Sequence, residues 1–296
     1  VKSLNESNLA SLPTETVYGL AGNAYSKKAI NKIFNLKRRP KKNPIIVHYF
    51  NIKDANKDVE HNKYFVKLYK RFCPGPLTFV LKKKHKSKIH PMVTAELDSV
   101  AIRFPSHRIT RSILKTCNFP LAMPSANISS RLSPVSAFDV FDEFKNKIEI
   151  IVNGGKSKIG IESTVIDLTE NPKILRPGVI STKEIERLLK IKLSKKKSKI
   201  KSPGMLKKHY SPGIPIFFHK IIKDSNNACL VFGKKYKKKE NYFNLSKKAD
   251  LKEAASNLYK TLREIKKKGY KKILVGKIPN SGLGIAINDR LKRAAK

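Results

Sequence analysis

Short apolar runs alternate with helix-spaced segments along most of this chain, and that alternation limits its fold more than any other feature. Ser26 is placed to cap a helix through Leu36, with Ala29, Ile30, Ile33 and Phe34 on one face and Pro40 beyond its end. The run Pro44-Ile45-Ile46-Val47-His48-Tyr49-Phe50 reads as a buried strand. A helix over about Lys63–Phe72 is broken by Pro74-Gly75-Pro76, and a strand comes next at Leu77–Leu81. Further strands are predicted at Ser99–Phe104, Leu121–Met123, Ile148–Val152 and Thr164–Leu168, with helices near His107–Thr116 and Val135–Phe144. Ser181 and Glu184 have capping-box spacing ahead of Ile185, Leu188 and Leu189. The pattern predicts an α/β fold.

The composition changes after Leu193. Ser194-Lys195-Lys196-Lys197-Ser198-Lys199 is basic and without periodicity, and Ser202-Pro203-Gly204 and Ser211-Pro212-Gly213 punctuate the next stretch of chain. Residues 194–213 therefore read as a linker between a first domain, 1–193, and a small α/β domain, 214–296. In the latter, strands are predicted at Ile214–Phe218, Ala228–Phe232 and Lys272–Val275. Asp250–Lys268 is a helix with Leu251, Ala255, Leu258, Leu262 and Ile265 on one face, and Gly269 stands at the C-cap.

The 296 residues are enough for two domains and a substantial core. A hydrophobic fraction of 40% excludes a wholly disordered chain. Cys73, Cys117 and Cys229 are odd in number and far apart, which argues against a disulfide framework or a structural zinc site. No apolar run approaches the roughly 18 residues that cross a bilayer, and Val1-Lys2-Ser3-Leu4-Asn5-Glu6 has no apolar signal region. The expectation is a cytoplasmic protein without a membrane partner. The net charge is +42, carried by 12 Arg and 52 Lys against 22 acidic residues. Because the excess is lysine, it fits a solvated surface as well as one that attracts a polyanion such as RNA with weak, salt-sensitive affinity.

Five polar clusters hold residues able to carry chemistry. Leu12-Pro13-Thr14-Glu15-Thr16-Val17-Tyr18-Gly19-Leu20 places hydroxyls beside Pro and Gly, where they orient a small ligand or simply make a turn. Lys37 and Arg39 stand at the end of the first helix. They either answer its dipole or clamp phosphate as a point charge and a fork. Their place on a basic helix end predicts that truncating either leaves the fold intact. His48 lies inside an apolar strand, where a core role is the ordinary one. In Ser99-Val100-Ala101-Ile102-Arg103-Phe104, strand alternation puts Arg103 on the face opposite Ile102 and Phe104, so it needs a structural Glu or an anionic ligand. Pro124-Ser125-Ala126-Asn127 with Ser133 is a turn suited to phosphate contact, and Gly160-Ile161-Glu162-Ser163-Thr164-Val165 followed by Arg176-Pro177-Gly178 is a fixed turn that either holds a ligand or is a plain loop. The chain has no Ser/His/Asp order, HExxH or Walker A sequence. Cations and hydroxyls without a nucleophile–base pair favour a site that positions anionic reactants.

Taken in order, Pro13–Leu20, Lys37-x-Arg39-Pro40, Asn43–His48, Pro74–Thr78, Arg103, Pro124–Asn127, Glu162–Thr164 and Arg176–Gly178 closely resemble the YrdC family. Ser202-Pro203-Gly204-Met205 followed by His209-Tyr210-Ser211-Pro212 is similar to the linker of its two-domain members, the L-threonylcarbamoyladenylate synthases. The resemblance implies a twisted open mixed sheet with helices, followed by a smaller Rossmann-like domain. It also implies a nucleotidyltransferase that makes threonylcarbamoyl-AMP and pyrophosphate from ATP, L-threonine and bicarbonate. Its product would reach tRNA only through a downstream transferase. By motif position, Lys37 and Arg39 take catalytic roles on the nucleotide phosphates, along with Ser125, Asn127 and Ser133, while Arg176 and Ser99 lie on the nucleotide side. Thr14, His48, Arg103, Met123 and Ser163 surround threonine, with Arg103 on its carboxylate. Lys207, where relatives often carry an aromatic, is assigned a nucleotide contact. Mg²⁺ is implied on ATP oxygens and water, with no protein metal site. The alternative reading is a non-catalytic RNA-binding protein of the same fold. The linker is expected to fold back over the nucleotide site, against the reading of a passive tether.

Overall fold

A computed structural model describes residues 1–194, 201–202, 209–218, 227–236 and 239–295. The first sheet contains β1 (Ala10–Leu12), β2 (Gly19–Asn23), β3 (Ile46–His48), β4 (Leu77–Lys82), β5 (Ser99–Arg103), β6 (Leu121–Ala122), β7 (Ile150–Ile151), β8 (Thr164–Asp167) and β9 (Lys173–Arg176). Its spatial order is β7-β1-β2-β6-β3-β5-β4-β8-β9. Parallel pairs β1/β7, β3/β5 and β4/β8 sit among antiparallel ones, so the sheet is mixed, as the resemblance implies. Helices α1 (Lys2–Asn5), α2 (Lys27–Lys37), α3 (Ile52–Ala55), α4 (Lys63–Phe72), α5 (Pro91–Thr94), α6 (Arg108–Thr116), α7 (Ala137–Phe144) and α8 (Thr182–Leu189) connect and cover it.

The second sheet, β10 (Ile216–Phe218), β11 (Ala228–Val231), β12 (Tyr242–Asn244) and β13 (Ile273–Val275), has the order β10-β13-β11-β12 and is parallel throughout. Helices α9 (Leu251–Lys267) and α10 (Leu283–Ala294) pack with it. The α/β character of both parts follows from the sequence pattern. The caps do too: Ser26 Oγ accepts the amide of Ala29, Ser181 and Glu184 form the capping box, and Gly269 has φ +80° after α9.

The two parts share packing. One core lies under the first sheet around Ile33, Phe65, Phe79, Ile102 and Phe104. The other joins Leu258, Leu262 and Ile287 to Val17, Leu132, Val135 and Ile161, which come from loops of the first sheet. The linker is tied down as well. Ser202, His209 and Tyr210 are buried, and the amide of Ser211 donates to the carbonyl of Ser130 at 2.8 Å. The described linker residues thus lie packed against the first part. No helix among the described residues is long and apolar enough to cross a membrane.

Candidate active site

Register across the first sheet sets one row of polar side chains. His48 of β3 pairs with Arg103 of β5, and Arg103 pairs with Thr78 of β4, so all three project from the same face. Ile102 and Phe104 point into the core under the opposite face, as strand alternation predicts, while Ala101 joins Ile46, Val80 and Val165 on the polar side. Next along the row, Thr78 Oγ1 and Ser163 Oγ share a hydrogen bond at 2.7 Å. Ser163 in turn receives Arg176, through Nε to its carbonyl at 3.1 Å and Nη2 to its hydroxyl at 3.0 Å.

Arg103 has a structural carboxylate partner. Its Nη2 lies 2.7 Å from Glu15 Oε1, and Glu15 Oε2 accepts the amide of Ser106 at 3.1 Å. Burial pushes the Glu15 carboxyl up, but Arg103 outweighs it and holds the group below its ordinary value. The Nε of Arg103 is buried without a hydrogen-bond partner, so part of the fork remains for a ligand. His48 is buried, with Nδ1 3.2 Å from the carbonyl of Ile46. Burial, followed by the charge of Arg103, pulls it well below its usual value and leaves the imidazole neutral.

The end of α2 departs from expectation. Arg38 takes a left-handed conformation, φ +48°, and points outward, which turns the side chains on either side of it inward. Lys37 is 1% exposed and Arg39 9%. Lys37 Nζ donates to the carbonyl of Ser125 at 2.5 Å and to that of Asn127. Arg39 donates to the carbonyls of Asn43 at 2.9 Å and Pro44 at 2.6 Å. Burial, with Arg39 beside it, pulls the Lys37 ammonium well below its ordinary value, and burial alone brings Arg39 down to about 9. These are not the solvated helix-end cations that the sequence suggests; a carboxylate contact shows for neither among the described residues.

Thr14, Arg39, His48, Arg103, Met123, Ser125 and Arg176 line one cavity of about 40 Å³, closed on one side by His209 and Tyr210 from the linker. That is room for a few waters. Lys37, Ser163 and Asn127 stand immediately behind this wall. Asn127 donates to the carbonyls of Ile128 and Arg131, and its Oδ1 is buried without a partner. Ser133 is turned to Glu162, its Oγ 2.5 Å from Oε1. Ser99 starts β5 opposite Lys82, about 13 Å along the strand from Arg103, and is not among the residues lining this cavity. Lys207 lies outside the described residues.

Several site residues have no role in the sequence reading. Thr78 is visible there only as the end of the Pro74–Thr78 motif, and strand register is what brings it to Arg103. Glu15 and Glu162 sit inside motifs without an assigned partner. Tyr259 and Arg290 come from α9 and α10, and their hydrogen bonds to Glu162 span 97 and 128 residues, beyond any local signal.

A mixed sheet bearing this row of cations and hydroxyls, roofed by the linker to a parallel-sheet unit, defines the class of two-part YrdC-type α/β proteins. The chain belongs to the Sua5/YciO/YrdC family: residues 2–178 match that family, described as telomere recombination, and residues 180–296 match the one described as threonylcarbamoyl-AMP synthase, C-terminal domain. The threonylcarbamoyl-AMP synthase of Pyrococcus abyssi is 37% identical, with 99% of this chain and 92% of that protein covered. The protein of that name from Bacillus subtilis is 34% identical, at 99% and 90%. A crystal structure described as P. abyssi Sua5 complexed with L-threonine has a TM-score of 0.89 and 36% identity, covering 99% of this chain and 92% of that one. The family boundary near residue 179 differs from the packing, because Ile185 and Leu189 of α8 belong to the first core.

Proposed function

We propose that this chain is an L-threonylcarbamoyladenylate synthase, working in the cytoplasm. The convergence of Arg39, Arg103 and Arg176 with Thr14, His48 and Ser125 on one cavity carries the reading. The threonine amine attacks the carbon of bicarbonate with loss of water, giving a carbamate. A carbamate oxygen then attacks the α-phosphorus of ATP, and pyrophosphate leaves. No protein nucleophile is needed; alignment and charge neutralisation do the work. The open Nε of Arg103 takes the threonine carboxylate, with Thr14, Ser163 and neutral His48 around it and Met123 as its apolar wall. Lys37 and Arg39, two buried cations side by side, gain a counter-charge when the triphosphate enters, with Ser125, Asn127 and Ser133 along it and Arg176 beside the nucleotide. The catalytic unit is residues 1–193, with residues 194–213 as the linker and 214–296 as the second unit.

The carboxylates beside the cavity are already engaged. Glu15 and Glu162 are both held by arginines, and no group of three His, Cys, Asp or Glu side chains gathers among the described residues. Magnesium would arrive on ATP oxygens and water, and no step is assigned to it. The linker acts as a lid. His209 and Tyr210, which line the cavity, lift to admit the nucleotide, and their return keeps water from the labile product. A transferase acting on tRNA adenosine would consume that product. A non-catalytic RNA binder of this fold has no need of buried Lys37, Arg39, Arg103 and Arg176 gathered about one cavity. The deciding measurement is pyrophosphate release from ATP in bicarbonate with and without L-threonine. Release that is absent, or indifferent to threonine, defeats the proposal.

A further inference from the structure

Among the described residues, none after Tyr210 lines the cavity, yet α9 and α10 reach its wall through one carboxylate. Glu162 precedes Ser163 in the loop entering β8. Its Oε2 accepts Nε of Arg290 at 2.7 Å, and both of its oxygens lie 3.0 Å from the hydroxyl of Tyr259. Ser133 donates to Oε1 from the first sheet's side, and Nη2 of Arg290 also reaches the Glu162 carbonyl at 3.4 Å. Arg290 is 1% exposed, and its remaining nitrogen, Nη1, is taken by Asp289 at 2.9 Å. Burial pushes the Glu162 carboxyl up, but Arg290 and then Arg176 bring it down to about 2, so it is ionised at neutral pH.

The same two residues hold the linker. The Arg290 guanidinium lies 5.1 Å from the centre of the Tyr210 ring, and the Tyr259 ring stacks on Tyr210 at 6.0 Å. One turn further along α10, the carbonyl of Arg293 accepts the amide of His209 at 3.2 Å.

A buried ion pair is a weak device for stability, since apolar side chains of similar volume hold two units together at least as well. A directional, fully satisfied one does something that packing does not: it fixes where the bonded backbone lies. Here that backbone continues into Ser163, whose carbonyl and hydroxyl both receive Arg176. We propose that Tyr259 and Arg290 are positioning residues of the active site, which hold Glu162 and Tyr210 together and so align the Ser163–Arg176 wall with the seated linker. The second unit thereby acts in the reaction without touching substrate. This role rests on the chain being the proposed synthase.

The test uses the full-length chain. Tyr259→Phe keeps the ring against Tyr210 and removes only the hydroxyl; Arg290→Lys keeps the charge and loses the fork. Both are expected to fold and to raise KM for ATP and for threonine together, by about tenfold. Adding Tyr259→Phe to Glu162→Gln should then change little, because both act through one carboxylate. A merely structural rivet would lower the melting temperature or the folded fraction and leave both KM values unmoved, and that result overturns the proposal. If the wild-type chain shows no threonine-dependent release, the synthase reading fails and hydrogen exchange decides the clamp. Faster exchange at residues 160–163 and 209–210 in Tyr259→Phe supports it, and unchanged exchange overturns it.

Discussion

Lys37 Nζ lies 2.5 Å from the carbonyl oxygen of Ser125, and this contact makes the lysine a strut between the end of α2 and the loop after β6. Arg39 plays the matching part for the carbonyls of Asn43 and Pro44. Both side chains therefore hold loops, where the sequence pattern has them answer a helix dipole or clamp phosphate.

Lys37→Ala and Arg39→Ala should each lose activity and stability together. Removing either cation strands two carbonyls that the cation now satisfies, at about 1–3 kcal/mol. Losing charge stabilisation at phosphorus adds a fall of about 100–1000-fold in turnover. Denaturant unfolding and threonine-dependent pyrophosphate release measure the two effects. An unchanged unfolding midpoint with turnover lost would mean that neither contact supports the loops.

Much of this fold is legible in the sequence because its signals are local. Helices α2 and α9 announce themselves by caps and spacing, α4 by the Pro74-Gly75-Pro76 that follows it, and Arg103 by a charge in an apolar strand. The missed elements lack such marks. Strand β2 is Gly-Leu-Ala-Gly-Asn, without a β-branched residue, and α10 begins at Gly282-Leu283-Gly284, which reads as a turn. At the site, residue identities are legible but directions are not. Nothing in Lys37-Arg38-Arg39 says that Arg38 takes φ +48° and sends its neighbours inward. Ser99 shares a strand with Arg103 but starts it, at the other end from the row of His48, Arg103 and Thr78.

Gly178 and Gly19 should respond differently to alanine. A Cβ on Gly178 would lie 2.3 Å from the amide nitrogen of Thr164 and 2.7 Å from the carbonyl carbon of Ser163, both backbone. Gly178→Ala must push the Ser163 loop away, at about 1–3 kcal/mol and with loss of activity. For a Cβ on Gly19 the three nearest atoms all belong to the side chain of Met123, the first at 2.3 Å. Adding Met123→Ala should therefore restore much of the stability lost in Gly19→Ala. Thermal melts of the three variants check this, and a Gly178→Ala chain as stable and active as wild type would contradict the close approach.

Tyr210→Ala tests the lid in the intact chain, which is safer than removing residues 194–296, because that cut would strip Val17, Leu132 and Ile161 of the second core that buries them. The variant deletes the ring between Arg290 and Tyr259. We expect weaker ATP binding and a larger fraction of threonylcarbamoyl-AMP lost to hydrolysis during turnover. Titration calorimetry and product recovery read these directly, and wild-type values for both would leave the linker without a lid function.

Acid should lift the linker before it unfolds the chain. His209 is buried, with its ring 4.1 Å from that of Tyr210. Burial brings its pKa down to about 3; Glu162 raises it somewhat, while Arg39, Lys37 and Arg176 oppose a further positive charge. The seated histidine is thus neutral, whereas a released one takes a proton near its usual value of about 6.5. Above that pH the two states bind the same protons, and seating carries no penalty. As the pH falls from about 6.5 towards 3, the released state binds the extra proton, so the closed state loses ground steadily. Hydrogen exchange at residues 209–211 should rise over this window while the β3–β5 amides stay protected. In His209→Gln, which cannot protonate, the rise should disappear. A rise of equal size in that variant would assign the acid response to another group.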